Sequence, residues 1–163
     1  MRQIIRRRDI VEDELRYPGE PSTAGSVDVH SASEWIAAAV AGSAPGPGAV
    51  LLTATDEAEA LAEHLAPLRW IVIDFAKIGE GRGYSQARLL RQRYHYAREL
   101  RARGAIKRDQ LFFLARCGFD AFDLDPAEDL IAALGALGTF SVAYQGGSDT
   151  LVQVRRRLPD AAA

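Results

Sequence analysis

Short apolar runs alternate with amphipathic stretches through the middle of the chain. The runs 49–54 (AVLLTA) and 70–75 (WIVIDF) are apolar without polar alternation, which is typical of strands buried on both faces. Between them, the apolar residues of 58–65 recur at helical spacing. The same reading predicts further strands at 99–103, 120–124 and 140–145, with helices at 85–94, 107–117 and from Asp125 to about Gly138.

This order of elements predicts the fold class. Strand and helix alternate repeatedly and end in a strand, and connections of this length join parallel strands. We therefore predict an α/β fold with a mainly parallel sheet of about five strands, built from repeated βα units. An open sheet and a half-barrel both satisfy the pattern.

The amino-terminal part has a different pattern. Residues 1–17 alternate weakly between apolar and charged positions, which predicts a short hairpin, and 18–27 (PGEPSTAGSV) reads as a loop. Ser31 followed by Glu34 is a capping box, so a helix is expected to begin near Ala32. The length fits one α/β domain over 1–146, followed by a polar tail over 147–163.

The strand expected at 99–103 carries arginine where a buried strand should be apolar. Its apolar residues share one face, whereas Arg101 and Arg103 share the other. Burying a guanidinium without a partner is prohibitively costly. The strand is therefore expected at a sheet edge, with the alternative that its charged face lines a wet or anion-filled cavity.

Composition excludes several classes of protein. No run approaches the ~20 apolar residues that span a membrane, and the charged start lacks the features of a signal peptide. The single Cys117 excludes an intramolecular disulfide and a cysteine-based metal cage, and the three histidines lack ligand spacing. We expect a cytoplasmic protein without a metal site.

The net charge of −2 conceals an uneven distribution. Residues 69–118 hold twelve Lys/Arg and four Asp/Glu, a balance of +8, and the rest holds eight basic and eighteen acidic residues, a balance of −10. Solvated helix faces explain such a split as well as an anionic ligand or an acidic partner surface does.

The loop 77–85 (KIGEGRGYS) follows the strongest strand and opens a helix that Ser85 can cap. In α/β folds this is the carboxyl end of the sheet, where ligands bind, and a helix amino terminus suits an anion. The glycine spacing matches neither the dinucleotide fingerprint nor a Walker loop, and a flexible surface loop is an equal alternative. The candidate ligand-binding residues are Lys77, Gly81, Arg82, Gly83, Ser85, Arg88, Arg101 and Gln110.

Two aspartates are candidates for a general base. Asp74 ends the strand before the glycine loop, and Asp109 lies in the first turn of the next helix. A salt-bridge or turn role explains Asp74 more simply, and the helix dipole alone favours Asp109. If strands 70–75 and 99–103 are adjacent, the two loops converge and Lys77, Arg82, Arg101 and Asp109 could share one pocket.

Four segments are distinctive: GRGYSQARLLR (81–91), ELRA (99–102), RDQL (108–111) and RCGFDAF (116–122). Together they resemble a bacterial family, the domain-of-unknown-function family nine hundred thirty-four, which is sometimes labelled a probable oxidoreductase, and the resemblance covers about 48–146. The family often has aspartate where this chain has Glu80. The resemblance implies a genomic setting beside assimilatory sulfite reductase and adenylylsulfate reductase genes, without a known reaction. No residues indicate a nicotinamide, flavin, cluster or dithiol site, so the cofactor stays unknown.

Three hypotheses for the function follow. The first is an accessory protein of sulfur assimilation that binds an oxyanion or adenylylated ligand at the loop 77–88. The second is a non-catalytic adaptor that docks its basic face on a sulfite reductase or adenylylsulfate reductase subunit. Nucleic-acid binding is the third and is disfavoured, because no recognised module accompanies the charge. Whether the protein is an enzyme is left open.

Overall fold

Eight strands and four α-helices make up the part of the chain that the computed structural model describes, residues 2–21 and 23–139. The strands are β1 (Gln3–Arg6), β2 (Asp9–Glu12), β3 (Leu15–Arg16), β4 (Val27–Ser31), β5 (Gly48–Leu52), β6 (Leu68–Phe75), β7 (Glu99–Gly104) and β8 (Ala121–Asp123). The helices are α1 (Ala32–Val40), α2 (Arg82–Gln92), α3 (Leu111–Cys117) and α4 (Leu130–Thr139), with 3-10 helices at Ala58–His64 and Arg108–Gln110.

All eight strands belong to one mixed sheet with the order β2-β1-β8-β7-β6-β5-β4-β3. Strands β3 to β8 are parallel, and β1 is antiparallel to both β2 and β8. The α/β class, the mainly parallel sheet and the amino-terminal hairpin are thus confirmed, but the estimate of about five strands was too low. Strand β3 has only two residues, and the apolar–polar alternation of β4 (VDVHS) extends over only four, so neither was counted as a strand.

The sheet is open and curls into a half-barrel. Its two edge strands are neighbours in sequence, because only Asp13 and Glu14 separate β2 from β3. Three Cα–Cα steps of about 3.8 Å place Glu12 and Leu15 at most about 11 Å apart. One short stretch of chain therefore supplies both edges of the sheet.

The two faces of the curled sheet have different coverings. Alternate residues of β6, such as Ile71 and Ile73, point to the outer face, where the helices pack. Trp70 and Val72 point to the inner face, where they pack against Leu15 and Tyr17. The inner face is thus covered by the amino-terminal segment rather than by a helix.

The expectation of an edge position for 99–103 was wrong, since β7 lies between β6 and β8. Its charged face is turned to the inside of the curl, where Arg101 is 0% exposed. The burial is tolerated because Asp13 and Glu99 supply carboxylates to that guanidinium. Part of the alternative prediction is therefore correct: the face lines a polar interior, but the anions are side chains of the protein.

Several helix boundaries differ from expectation. The Ser31–Glu34 capping box of α1 is confirmed, whereas the helix expected near 58–65 is a 3-10 helix. Helix α4 begins at Leu130 because Asp129 Oδ1 accepts hydrogen bonds from the first backbone N–H groups, while Asp125 caps only the preceding turn. The strand predicted at 140–145 and the tail at 147–163 lie outside the described residues. None of the helices in the described part of the chain has the length and apolar character to cross a membrane.

Candidate functional site

Strands β6 and β7 end side by side, as the convergence of the two loops requires. Asp74 near the end of β6 is in register with Arg103 of β7, and Phe75 is in register with Gly104. Both strands are parallel, so the loops that follow them leave the sheet at the same end. This end of the sheet is where α/β proteins bind ligands.

The glycines of the loop have different reasons for being glycine. Gly79 has a φ of +85°, a backbone conformation that disfavours other residues. Gly83 is buried, and a Cβ there would lie 2.6 Å from the Phe75 ring. A Cβ at Gly81 would meet nothing within 4 Å. Gly83 therefore allows α2 to pack on β6, and Gly81 faces open space.

Two exposed cations stand at the start of α2. The helix begins at Arg82, four residues earlier than a Ser85 cap would place it, and its N-cap Gly81 makes no side-chain cap hydrogen bond. Gly81 has no side chain, so the cap residue offers no acceptor to the first N–H groups of α2. The side chains of Lys77 and Arg82 are exposed and form no ion pair with any residue that the structure describes. Ser85 is exposed in the first turn of the same helix.

Gln110 joins the two loops. Its Nε2 donates a hydrogen bond to the Tyr84 hydroxyl at 3.2 Å, and its Oε1 accepts from the Lys107 backbone N–H at 3.0 Å. The Tyr84 ring lies between Phe75 and Phe113, with centroids 5.3 and 5.1 Å away. Gln110 thus positions the loops.

Two other candidate residues lie on or beside the helices that follow the loops. The guanidinium of Arg88 stands 5.9 Å from the Phe113 ring centroid. Asp109 is exposed and has no described ion-pair partner. Neither side chain is held toward the carboxyl ends of β6 and β7 by a described hydrogen bond.

Asp74 is a candidate residue whose protonation the fold perturbs. Partial burial raises the pKa of Asp74, the nearby Arg103 guanidinium opposes that rise, and Glu80 adds to it. One carboxylate oxygen of Glu80, Oε2, is buried without a hydrogen-bond partner. The carboxyl end of β6 therefore holds two carboxylates whose charge is incompletely compensated.

Arg101 does not join Lys77 and Arg82. Its Nη1 donates to Asp13 Oδ1 at 2.5 Å and its Nη2 to Glu99 Oε1 at 2.7 Å, inside the curl. Burial alone would raise the pKa of Asp13, but the Arg101 guanidinium and the Leu15 N–H hold it below its ordinary value. The Arg101 guanidinium is therefore paired with carboxylates of the protein itself and is not accessible to a ligand.

A cluster that the sequence pattern did not reveal lies beside this pair. Tyr17 is covered by two guanidinium groups, Arg103 at 3.6 Å and Arg2 at 4.7 Å from its ring centroid. Both arginines also pair with Asp123, at 3.3 and 3.4 Å. Burial raises the pKa of Tyr17 to about 12. Sequence spacing could not predict this cluster, because Arg2 and Tyr17 are about 100 residues away in sequence from Arg103 and Asp123.

The described residues offer little for a metal or thiol chemistry. Within 2–21 and 23–139 no three His, Cys, Asp or Glu side chains are grouped as a metal site requires. Cys117 is 0% exposed, and burial raises the pKa of its thiol, which keeps it protonated.

Comparison with models of protein families identifies a family for this chain. The family model described as "Bacterial protein of unknown function (DUF934)" matches residues 49–154. No curated protein and no solved structure matches the chain.

Proposed function

The chain belongs to the DUF934 family of bacterial proteins of unknown function, and we propose that it binds an oxyanion-bearing ligand at the loop 77–88. The observation that carries the proposal is the pair of exposed cations, Lys77 and Arg82, beside the uncapped start of α2. Free N–H groups, a helix dipole and a guanidinium fork all favour a sulfate, sulfite or phosphate group.

Arg101, which the sequence pattern included, has no part in this proposal. Its guanidinium is buried and forms ion pairs with Asp13 and Glu99, so it is not available to bind a ligand. The proposed contacts are the Lys77 and Arg82 side chains, the backbone at Gly81 and the Ser85 hydroxyl. Arg88 and Gln110 contribute by supporting the aromatic packing under the loop.

Asp74 is the residue we propose for any proton transfer at this site. It lies at the end of β6, and its raised pKa lets it accept and return a proton closer to neutral pH than an ordinary aspartate. Asp109 is the weaker candidate because its side chain is exposed. The proposal does not require a reaction, and a binding protein would use the same cations.

The biological setting that we propose is assimilatory sulfate and sulfite reduction. This proposed setting rests on the family resemblance, which implies that the gene lies beside sulfite reductase and adenylylsulfate reductase genes. The exposed cations are compatible with sulfite, sulfate and adenosine 5′-phosphosulfate as ligands. Adenosine 5′-phosphosulfate combines an oxyanion with an adenylyl group, so it tests both forms of the proposal.

Calorimetric titration with these three compounds tests the proposal. Removing one charge-assisted contact of about 1.5–3 kcal/mol predicts that Arg82→Ala weakens binding roughly 10- to 100-fold. Arg93→Ala is the matched control, because it removes the same charge just beyond the other end of α2 and should leave the affinity unchanged. Equal affinity in both variants contradicts the proposal.

One observation favours the adaptor as a second candidate. Phe113 is 47% exposed and Ile78 is 60% exposed, both within the basic part of the chain, and Arg88 lies over the Phe113 ring. Aromatic residues beside arginine are typical anchors of protein interfaces. Binding to a sulfite reductase subunit should fall with salt and with Phe113→Ser.

A further inference from the structure

A cavity lies at the opposite end of the sheet from the loop 77–88. It has a volume of about 550 Å³ and opens beside the starts of β6 and β7, at Trp70 and Glu99. Strand β6 has eight residues, so its two ends lie about 23 Å apart at 3.3 Å per residue. A ligand in this cavity cannot contact Lys77 or Arg82.

Three carboxylates in the cavity wall are already paired. Glu14 and Glu99 both bind Arg6, at 2.7 and 2.8 Å. Asp120 pairs with Arg91 at 3.3 Å. These acids consequently contribute little negative potential to the cavity.

Three arginines in the same wall are not paired with acids. Arg7, Arg69 and Arg98 are exposed, and none forms an ion pair with a residue in the described part of the chain. Arg69 lies 4.8 Å from the centre of the Trp70 ring, and Arg98 donates one hydrogen bond to a backbone carbonyl. Against them stands one further acid, Asp9. The lining residues include four arginines and four acids, so the formal charge of the wall is balanced, and Arg7, Arg69 and Arg98 are the cations in it without an ion pair among the described residues.

We propose that this amino-end cavity binds a phosphate or sulfate ester of a small organic molecule. Guanidinium groups bind such esters through paired hydrogen bonds, and Arg7, Arg69 and Arg98 supply three of them. The volume lies within the range of about 300–1,000 Å³ that small-molecule sites have, which leaves room for more than the anion. Val11, Pro47 and Ala97 give the organic part an apolar wall.

Titration calorimetry with adenosine 5′-monophosphate and glucose 6-phosphate tests the inference, with adenosine, glucose and inorganic phosphate as the matched fragments. We expect at least one ester to bind with a Kd below about 1 mM, at least tenfold more tightly than its own two fragments. Binding of the fragments as tightly as the esters, or no binding of either ester, overturns the inference.

Two variants assign the binding to this cavity. Arg69→Gln/Arg98→Gln should weaken ester binding at least tenfold, while circular dichroism should show an unchanged fold because both side chains are exposed. Arg108→Gln, at the carboxyl end of the sheet, is the matched control and should bind as the parent protein does. Ester binding that survives the double variant unchanged overturns the inference. The two proposals can fail independently, because a failure of the esters to bind in this cavity does not change the result expected for Arg82→Ala at the loop 77–88.

Discussion

Asp13 and Arg101 are 88 residues apart in sequence, and they are joined by a hydrogen bond of 2.5 Å inside the curled sheet. Their side chains are 1% and 0% exposed. Asp13 belongs to the two-residue link between the edge strands, and Arg101 lies at the centre of β7. This pair therefore fixes the amino-terminal segment against the inner face of the sheet.

Removing Asp13 should be strongly destabilising. Asp13→Ala leaves a buried guanidinium with only Glu99 to compensate it, and such a loss costs about 3–5 kcal/mol. Urea unfolding gives the difference in the free energy of unfolding. Asp28→Ala is the control, because it removes an exposed carboxylate paired with Arg16, worth about 0–1 kcal/mol. Equal losses in the two variants would show that the buried pair is not what holds the segment.

The charge on Asp74 should make the protein less stable as the pH rises. A carboxyl whose pKa is raised on folding binds its proton more tightly in the folded state, so the contribution of Asp74 to stability falls as the pH rises from the unfolded value of 3.8 through the folded pKa. Asp74→Asn should therefore have a higher Tm than the parent at pH 7, with the difference shrinking toward pH 4. Asp109→Asn, at an exposed position, serves as the control. A parent protein as stable as Asp74→Asn at pH 7 contradicts this.

The two neighbouring glycines of the loop should respond differently to alanine. Gly83→Ala places a Cβ 2.6 Å from the Phe75 ring and 3.1 Å from Ile73, which predicts a loss of about 1–3 kcal/mol. Gly81→Ala meets open space and should change the free energy of unfolding by less than about 1 kcal/mol. Chemical denaturation of both variants measures this, and similar losses at the two positions would contradict the packing role of Gly83.

Local signals in the sequence were sufficient for the elements that have strong patterns. The buried run 70–75 is within β6, and the Ser31–Glu34 capping box begins α1 as expected. The start of α2 was placed too late because Ser85 is a common cap residue, whereas a glycine, Gly81, holds that position. Strand β3 could not be predicted, since two residues carry no periodicity and only its pairing with β4 defines it.

The candidate site was predictable only in part, and Arg101 shows why. The cost of burying a lone guanidinium correctly indicated that this side chain needed partners. That cost could not indicate that Asp13, 88 residues away in sequence, is one of the partners, because long-range pairing depends on how the sheet curls. The convergence of the two loops, by contrast, follows once β6 and β7 are adjacent, and the structure has Asp74 and Arg103 in register at that end of the strands.

The most direct test of the ligand proposal is the backbone amide spectrum of the ¹⁵N-labelled protein during titration with adenosine 5′-phosphosulfate. The account predicts that the largest shift changes occur at the amides from Gly79 to Tyr84, around the uncapped start of α2. They should be lost in Arg82→Ala. Changes confined to the residues around Arg69 and Arg98, or an unchanged spectrum at saturating ligand, would contradict it.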